Sequence, residues 1–236
     1  MRCFQRQLLL YRATRKIRIM SDQTRTRRSR SALQRPRHGE VRVRVGALGL
    51  SGLGVQAIGR IEAVGPDAGG FAPGDRVAYR FTSETLGLSH IIGERDLIGF
   101  PKDVAIEKAA ALLPLGLVAR TIVKQLHSIG RGNRVSIDSD DSGVDALVRA
   151  WVRHLGAELV GADADVAITA QDYAAARLLR NGHGFTQIAA SDVFQAVRLG
   201  VFDDVHIARY PLSDAASARR AMQSREIAGP VVLLAA

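Results

Sequence analysis

Apolar and charged residues alternate strictly over Val41-Arg42-Val43-Arg44-Val45, the period-two pattern of a strand with one buried face. Ala57 to Gly65 repeats the alternation, and Gly59 within it marks a bulge or a close backbone approach. Pro66-Asp67-Ala68-Gly69-Gly70 and Pro73-Gly74-Asp75 are turn clusters, the second leading into a strand over Arg76–Arg80. Residues 89–100 hold a further extended stretch around Ile91-Ile92 and Leu97-Ile98. Short strands joined by Gly/Pro turns at this density predict a small all-β barrel.

The period changes near Pro101. Val104–Leu113 and Gly116–Ile129 read as two helices, with apolar positions recurring at three and four, and Gly130-Arg131-Gly132-Asn133 ends the second. Arg134–Asp138 then reads as a buried strand, followed by a helix from about Ser142 to Leu155, closed by Gly156, and a short strand over Ala157–Gly161. Strand, helix, strand is a βαβ unit, whose parallel sheet needs helices on its faces. Beyond it the pattern predicts a strand at Asp165–Thr169, a helix at Tyr173–Arg180 and a turn at Asn181-Gly182-His183-Gly184. Helices at Val193–Leu199 and Leu212–Ser224 and a terminal strand at Pro230–Leu234 complete it. The expected class is α/β: a β-barrel joined to a parallel sheet.

Composition changes the picture in one place. The 236 residues are 47% hydrophobic and 24% charged, ordinary for a globular chain, and 5% aromatic, so the core is built from aliphatic side chains. The net charge of +10 looks like a nucleic-acid footprint until it is located. Residues 1–37 carry twelve Lys and Arg against Asp22 alone, which leaves 21 bases and 22 acids on the rest. The body is near neutral, so nucleic-acid binding by it is not expected. The tail has three readings: an Arg-rich organellar transit segment, a basic arm for acidic surfaces, or a start assigned upstream of Met20-Ser21-Asp22. Outside the first reading a cytoplasmic location is expected. No stretch approaches the roughly 18 apolar residues of a membrane span. Cys3 is the only cysteine, which excludes an intrachain disulfide and a thiolate zinc site, and the six histidines show no H-x-x-x-H or H-E-x-x-H spacing.

Several fragments, in order and spacing, resemble a known family. Gly59-Arg60-Ile61-Glu62-Ala63-Val64-Gly65 followed by Phe71-Ala72-Pro73-Gly74-Asp75-Arg76-Val77 is similar to the "G-x-V-x-x-V-G … F-x-x-G-D-R-V" signature of the medium-chain dehydrogenase/reductase superfamily. Ala109 to Ala119 resembles the "A-A-A-L-x-x-G-L-T-A" helix pair of its zinc-free NADPH:quinone oxidoreductases, and Tyr210-Pro211-Leu212, Ala215-Ala216 and Ser224–Leu233 resemble their C-terminal end. The resemblance covers residues 38–236. It implies a GroES-like barrel over 38–112, a shortened Rossmann domain over 113–208 and a return to the barrel over 209–236, after a basic tail at 1–37. It further implies NADPH without zinc, and hydride transfer to a small quinone or α,β-unsaturated carbonyl.

The same resemblance assigns Ser142, Gly143, Val144 and Gly116 to the cofactor, and no side chain to catalysis. In such enzymes the nicotinamide supplies the hydride and the protein supplies position and electrostatics. The residues themselves depart from the family's phosphate turn. Where it reads roughly "A-A-A-G-G-V-G", this chain has Ser139-Asp140-Asp141-Ser142-Gly143-Val144-Asp145. Carboxylates here favour the helix N-terminus by occupying the electrostatic role of an anion. Three stretches are also shortened: the substrate loop after Gly49-Leu50, the base-bearing segment near Gly161–Asp165, and the strands expected after Ile188. The leading reading is a quinone reductase-like oxidoreductase. The alternatives are a non-catalytic remnant serving as a binding or assembly module, and a passive domain tethered by its tail. A sheet short of strands leaves an open edge, which predicts a homodimer.

Overall fold

The computed structural model describes residues 35–51, 54–81, 88–139, 142–179, 187–224, 226–227 and 229–235. Almost all of the basic tail, the turn expected at 181–184, and Asp140 and Asp141 therefore lie outside the described residues.

The first sheet has the order β5-β3-β2-β1-β10-β9, with β4 also on β1. Its strands are β1 (Glu40–Ser51), β2 (Gly54–Val64), β3 (Arg76–Phe81), β4 (Ser89–Gly93), β5 (Ile98–Gly99), β9 (Ala208–Pro211) and β10 (Val231–Leu234). β1 carries it. One edge pairs with β2 throughout; the other pairs with β4 over Glu40–Arg44 and with β10 over Ala47–Leu50. The register shifts between Val45 and Ala47, where that second edge changes partner, so a bulge at Gly46 turns the sheet at this point. Gly59 is a close approach: a Cβ there would lie 2.2 Å from the Arg44 carbonyl oxygen.

The G-D-R-V turn has a physical account. Gly74 takes φ +93, which a glycine adopts without strain, and the Asp75 carboxylate accepts the Ala72 N–H at 2.8 Å. Arg76, 8% exposed, donates to the Lys102 and Val104 carbonyls and lies over the Phe100 ring at 4.2 Å. It thereby pins the connection from barrel to helical layer.

The second sheet is three parallel strands in the order β7-β6-β8: β6 (Arg134–Asp138), β7 (Glu158–Leu159) and β8 (Val166–Thr169). Its helices are α1 (Ile106–Arg120), α2 (Ser142–His154), α3 (Ala170–Leu179) and α4 (Gln187–Arg198), and α5 (Ala215–Gln223) follows β9. This is an α/β fold, a GroES-like barrel with a trimmed Rossmann sheet. β6 is less buried than its sequence predicts. Only Val135 in it is fully buried, and in β8 only Ile168, so one face of the sheet is packed and the other is open.

The two helices expected at 104–113 and 116–129 are one. α1 runs through Pro114 and Gly116 and continues into a π-helical turn over Thr121–Leu126. Pro114 has no N–H, so the Ala110 carbonyl loses its helical donor. That oxygen faces Gly49 of β1, where an added Cβ would come within 1.8 Å of it. On another side of α1, a Cβ on Gly116 would lie 2.7 Å from Cγ1 of Val193 in α4. Both residues that look like helix breakers sit at close contacts, and Ala109–Ala119 are all buried.

β9, four residues ending in a proline, has no sequence pattern of its own; it pairs in parallel with β10 at the sheet margin. The opposite margin is closed by a side chain. Gln187 accepts the Gly99 N–H and donates to the Gly99 carbonyl, both at 3.0 Å, in the manner of a strand partner.

Gly49→Ala should therefore destabilise the chain by about 3 kcal/mol or more, since the obstructing atom is backbone. Urea unfolding followed by circular dichroism measures it; a loss below about 1 kcal/mol would contradict the close approach.

Candidate functional site

The order β7-β6-β8 reverses direction at β6. In open α/β sheets the crevice outside the carboxyl ends of strands at such a point is where ligands bind. Here Asp138↔Thr169 is the last pair of β6 and β8, and beyond it lies an open cavity of about 360 Å³ lined by Asp138, Ser139, Thr169, Ala170 and Gln171.

α2 opens beside this crevice. Gly143 is half-buried and Val144 is fully buried in the core. Ser142 begins the helix, and its side chain lies outside the described residues. Gly116, the fourth residue assigned to the cofactor, is not part of the turn. It packs inside α1 against Val193, which accounts for the glycine without a ligand.

Asp145 stands in the first turn of α2, at the position of the family's last glycine. Its carboxylate accepts a hydrogen bond from the hydroxyl of Tyr173 in α3, 28 residues along the chain. Tyr173 is 2% exposed, and Ser139 from the crevice rim bonds to the same phenol. Burial first, then the bond to Asp145 and its negative charge, push the phenol well above its ordinary pKa, so it keeps its proton and donates. Charge-assisted bonds of this kind contribute about 1.5–3 kcal/mol. The positive end of α2 is thus served by the chain's own carboxylate, tied across to α3.

The start of α3 is held similarly. The Thr169 N–H and hydroxyl donate to Asp172 at 2.7 and 3.0 Å, and His127, just past the π-helical turn, meets the same carboxylate at 2.9 Å. Burial acts to raise the Asp172 pKa, but the bonds from Thr169 and His127 outweigh it and hold it below the usual carboxylate value.

A dinucleotide needs room and positive potential for its diphosphate, and a base beyond the second strand when it carries a 2′-phosphate. The residues present do not fit that need. Among the described residues no Lys or Arg lines the crevice, Asp138 and Asp145 bring negative charge to it, and Tyr173 fixes Asp145 in place. The stretch from Val160 to Asp165 carries two acids and no base, and Asp165 is already engaged by the Arg134 N–H at 2.8 Å.

Two further residues matter near the barrel. Tyr79 is fully buried and bonds to His90 Nδ1 at 2.6 Å. Gln56, 1% exposed, has neither amide atom paired. An unpaired buried polar group costs about 1–3 kcal/mol. Gln56 shares the α1-facing side of β2 with Ile58, and its only sequence signal is a polar residue inside the apolar run Val55-Gln56-Ala57-Ile58. Among the described residues, no three His, Cys, Asp or Glu side chains gather as a metal set, and no helix is long and apolar enough to cross a membrane.

No family model matches the chain. Known proteins do. A quinone oxidoreductase of Pseudomonas aeruginosa is 32% identical over 143 residues, 52% of this chain and 43% of that protein. The solved structure of a mycobacterial quinone oxidoreductase superposes with a TM-score of 0.65 at 20% identity, over 85% of this chain and 93% of that one. The Escherichia coli quinone oxidoreductase complexed with NADPH gives 0.66 at 18% identity, again over 85% and 93%. In part of its sequence and in its fold, the chain is similar to the zinc-free quinone oxidoreductases of the medium-chain dehydrogenase/reductase type. It spans less than half the length of the curated relatives it matches. Its crevice stands where a Rossmann sheet offers one, and its turn is filled by Asp145 and Tyr173.

The held-down Asp172 pKa sets a pH dependence. A carboxyl whose folded pKa is depressed stabilises above its unfolded value, near pH 4, and loses that contribution as pH falls through the folded value. Asp172→Asn should cost about 1 kcal/mol at pH 7 and progressively less below about pH 4. Urea unfolding of both chains across that range measures it, and an equal difference at pH 7 and pH 3 would refute it.

Proposed function

We propose that this chain is a binding module on the quinone reductase scaffold, one that has given up hydride transfer from NADPH. The observation that carries this is the bond from Tyr173 to Asp145, which places a fixed carboxylate in the first turn of α2, the helix end that a diphosphate would otherwise approach. The base-free stretch at Val160–Asp165 and the open face of the three-stranded sheet support it.

A second reading is NADPH-dependent reduction of a small quinone or an α,β-unsaturated carbonyl. It is favoured by kinship: one matched relative is named a 2-haloacrylate reductase, of a Burkholderia species, and a structural neighbour holds NADPH. The crevice at the ends of β6 and β8 also remains open. In this reading Gly143 and Val144 would offer backbone N–H groups, and the acceptor would lie between barrel and sheet. Dimerisation through an exposed sheet edge is compatible with either reading and is read by light scattering.

Titration of the purified chain with NADPH, followed by nicotinamide fluorescence, separates the two. The binding-module reading expects no saturation at millimolar cofactor. Saturable binding coupled to NADPH oxidation by a simple quinone would establish the reductase reading instead.

A further inference from the structure

A second cavity lies away from the crevice and shares none of its residues. It holds about 680 Å³, between the outer side of α2 and the segment from Leu199 to His206. That size suits a small organic ligand. Its walls have two characters. Ala146, Ala150, Val201 and Val205 supply apolar surface, and Leu199, 57% exposed, extends it. Around them stand Arg149, Arg153, His154 and His206, against one acid, Asp204.

Neither arginine has a hydrogen-bond or ion-pair partner among the described residues. Several other surface basic side chains are engaged. Arg198 makes a two-pronged pair with Asp103 at 2.7 and 2.8 Å, Arg120 meets Asp192 at 2.6 Å, and Lys108 meets Asp203 at 2.8 Å. Basic residues in the last turn of a helix are explained in part by its negative end. That accounts for Arg153 and His154, but not for Arg149, a turn earlier, nor for the apolar surface between them.

Unpaired guanidinium groups beside an apolar recess match one ligand chemistry. An anionic head accepts bonds from the arginines, and an apolar body covers Leu199 and the alanines. We propose that this cavity binds a small organic acid, a carboxylate or sulfonate on an apolar chain or ring. The site is independent of the cofactor question, because it stands or falls whether or not NADPH binds.

The protein carries its own probe. Trp151, the only tryptophan, follows the lining residue Ala150 on α2, is 2% exposed and meets Phe202 edge-on at 5.4 Å. The full chain is titrated with anilinonaphthalene sulfonate while Trp151 is excited, and dye emission sensitised by Trp151 is followed. Saturable binding is expected, displaced by octanoate but not by octanol or octylamine. Arg149→Gln together with Arg153→Gln should weaken it about tenfold or more, and Asp204→Asn should tighten it. Circular dichroism checks that each variant is folded, and either arginine variant alone, weakening binding by a smaller factor, serves if the pair is not. Dye binding that ignores the arginine changes, displacement by octanol as readily as by octanoate, or no saturation would each overturn the proposal.

Discussion

Helix α1 has no solvent-facing side along Ala109–Ala119, and the whole molecule is arranged around that fact. β1 and β2 of the barrel pack against it, as do α2, α3 and α4 of the second layer. A helix buried all round must be thin where its neighbours come close, and this one has Ala109–Ala111 and Gly116 along its buried length. Gly49 admits the Ala110 carbonyl that Pro114 has released, and Gly116 admits Val193. Arg76 holds the approach to the helix, while Lys108–Asp203, Arg120–Asp192 and Arg198–Asp103 tie its surroundings together. Exposed pairs of this kind contribute little singly, about 0–1 kcal/mol, so the packing bears the greater share.

With the helical layer seated on α1, β6 and β8 end side by side and α2 and α3 begin there together. A helix N-terminus attracts negative charge, from a ligand or from the chain itself. Here Asp145 is held across the gap by a protonated, buried tyrosine, and Asp172 caps the neighbouring helix under bonds from Thr169 and His127. Each carboxylate is tethered, so it meets its helix end without the entropy loss that a free anion would bear on binding. The crevice beside them is polar, with Asp138, Ser139, Thr169 and Gln171 at its wall.

How much of this was legible in the sequence follows from the kind of burial. Over Val41–Val45 of β1 and Gly59–Glu62 of β2 only one face meets the core, so their alternation could be read directly, and the turn at Gly74-Asp75 is local chemistry. α1 defeated the same reading because a helix buried on every side has no polar face to mark its period, and Pro114 and Gly116 mimic a break. β9 is too short for a pattern. At the site, Asp145 was visible as an acid at a glycine position, whereas its partner was not: Tyr173 lies 28 residues away, and only the parallel pairing of β6 with β8 brings them together. Gln56 signalled itself only as a polar residue in an apolar run, and its unpaired amide needed coordinates.

The central claim is that the carboxylate of Asp145, locked by Tyr173, closes the turn to a diphosphate. The most direct measurement is NADPH affinity of the unaltered chain and of Asp145→Gly, side by side, by nicotinamide fluorescence. Removing a fixed like charge and restoring the glycine should raise affinity by about tenfold or more. Equal affinity for the two chains would contradict the claim and place the obstacle in the shortened segments instead.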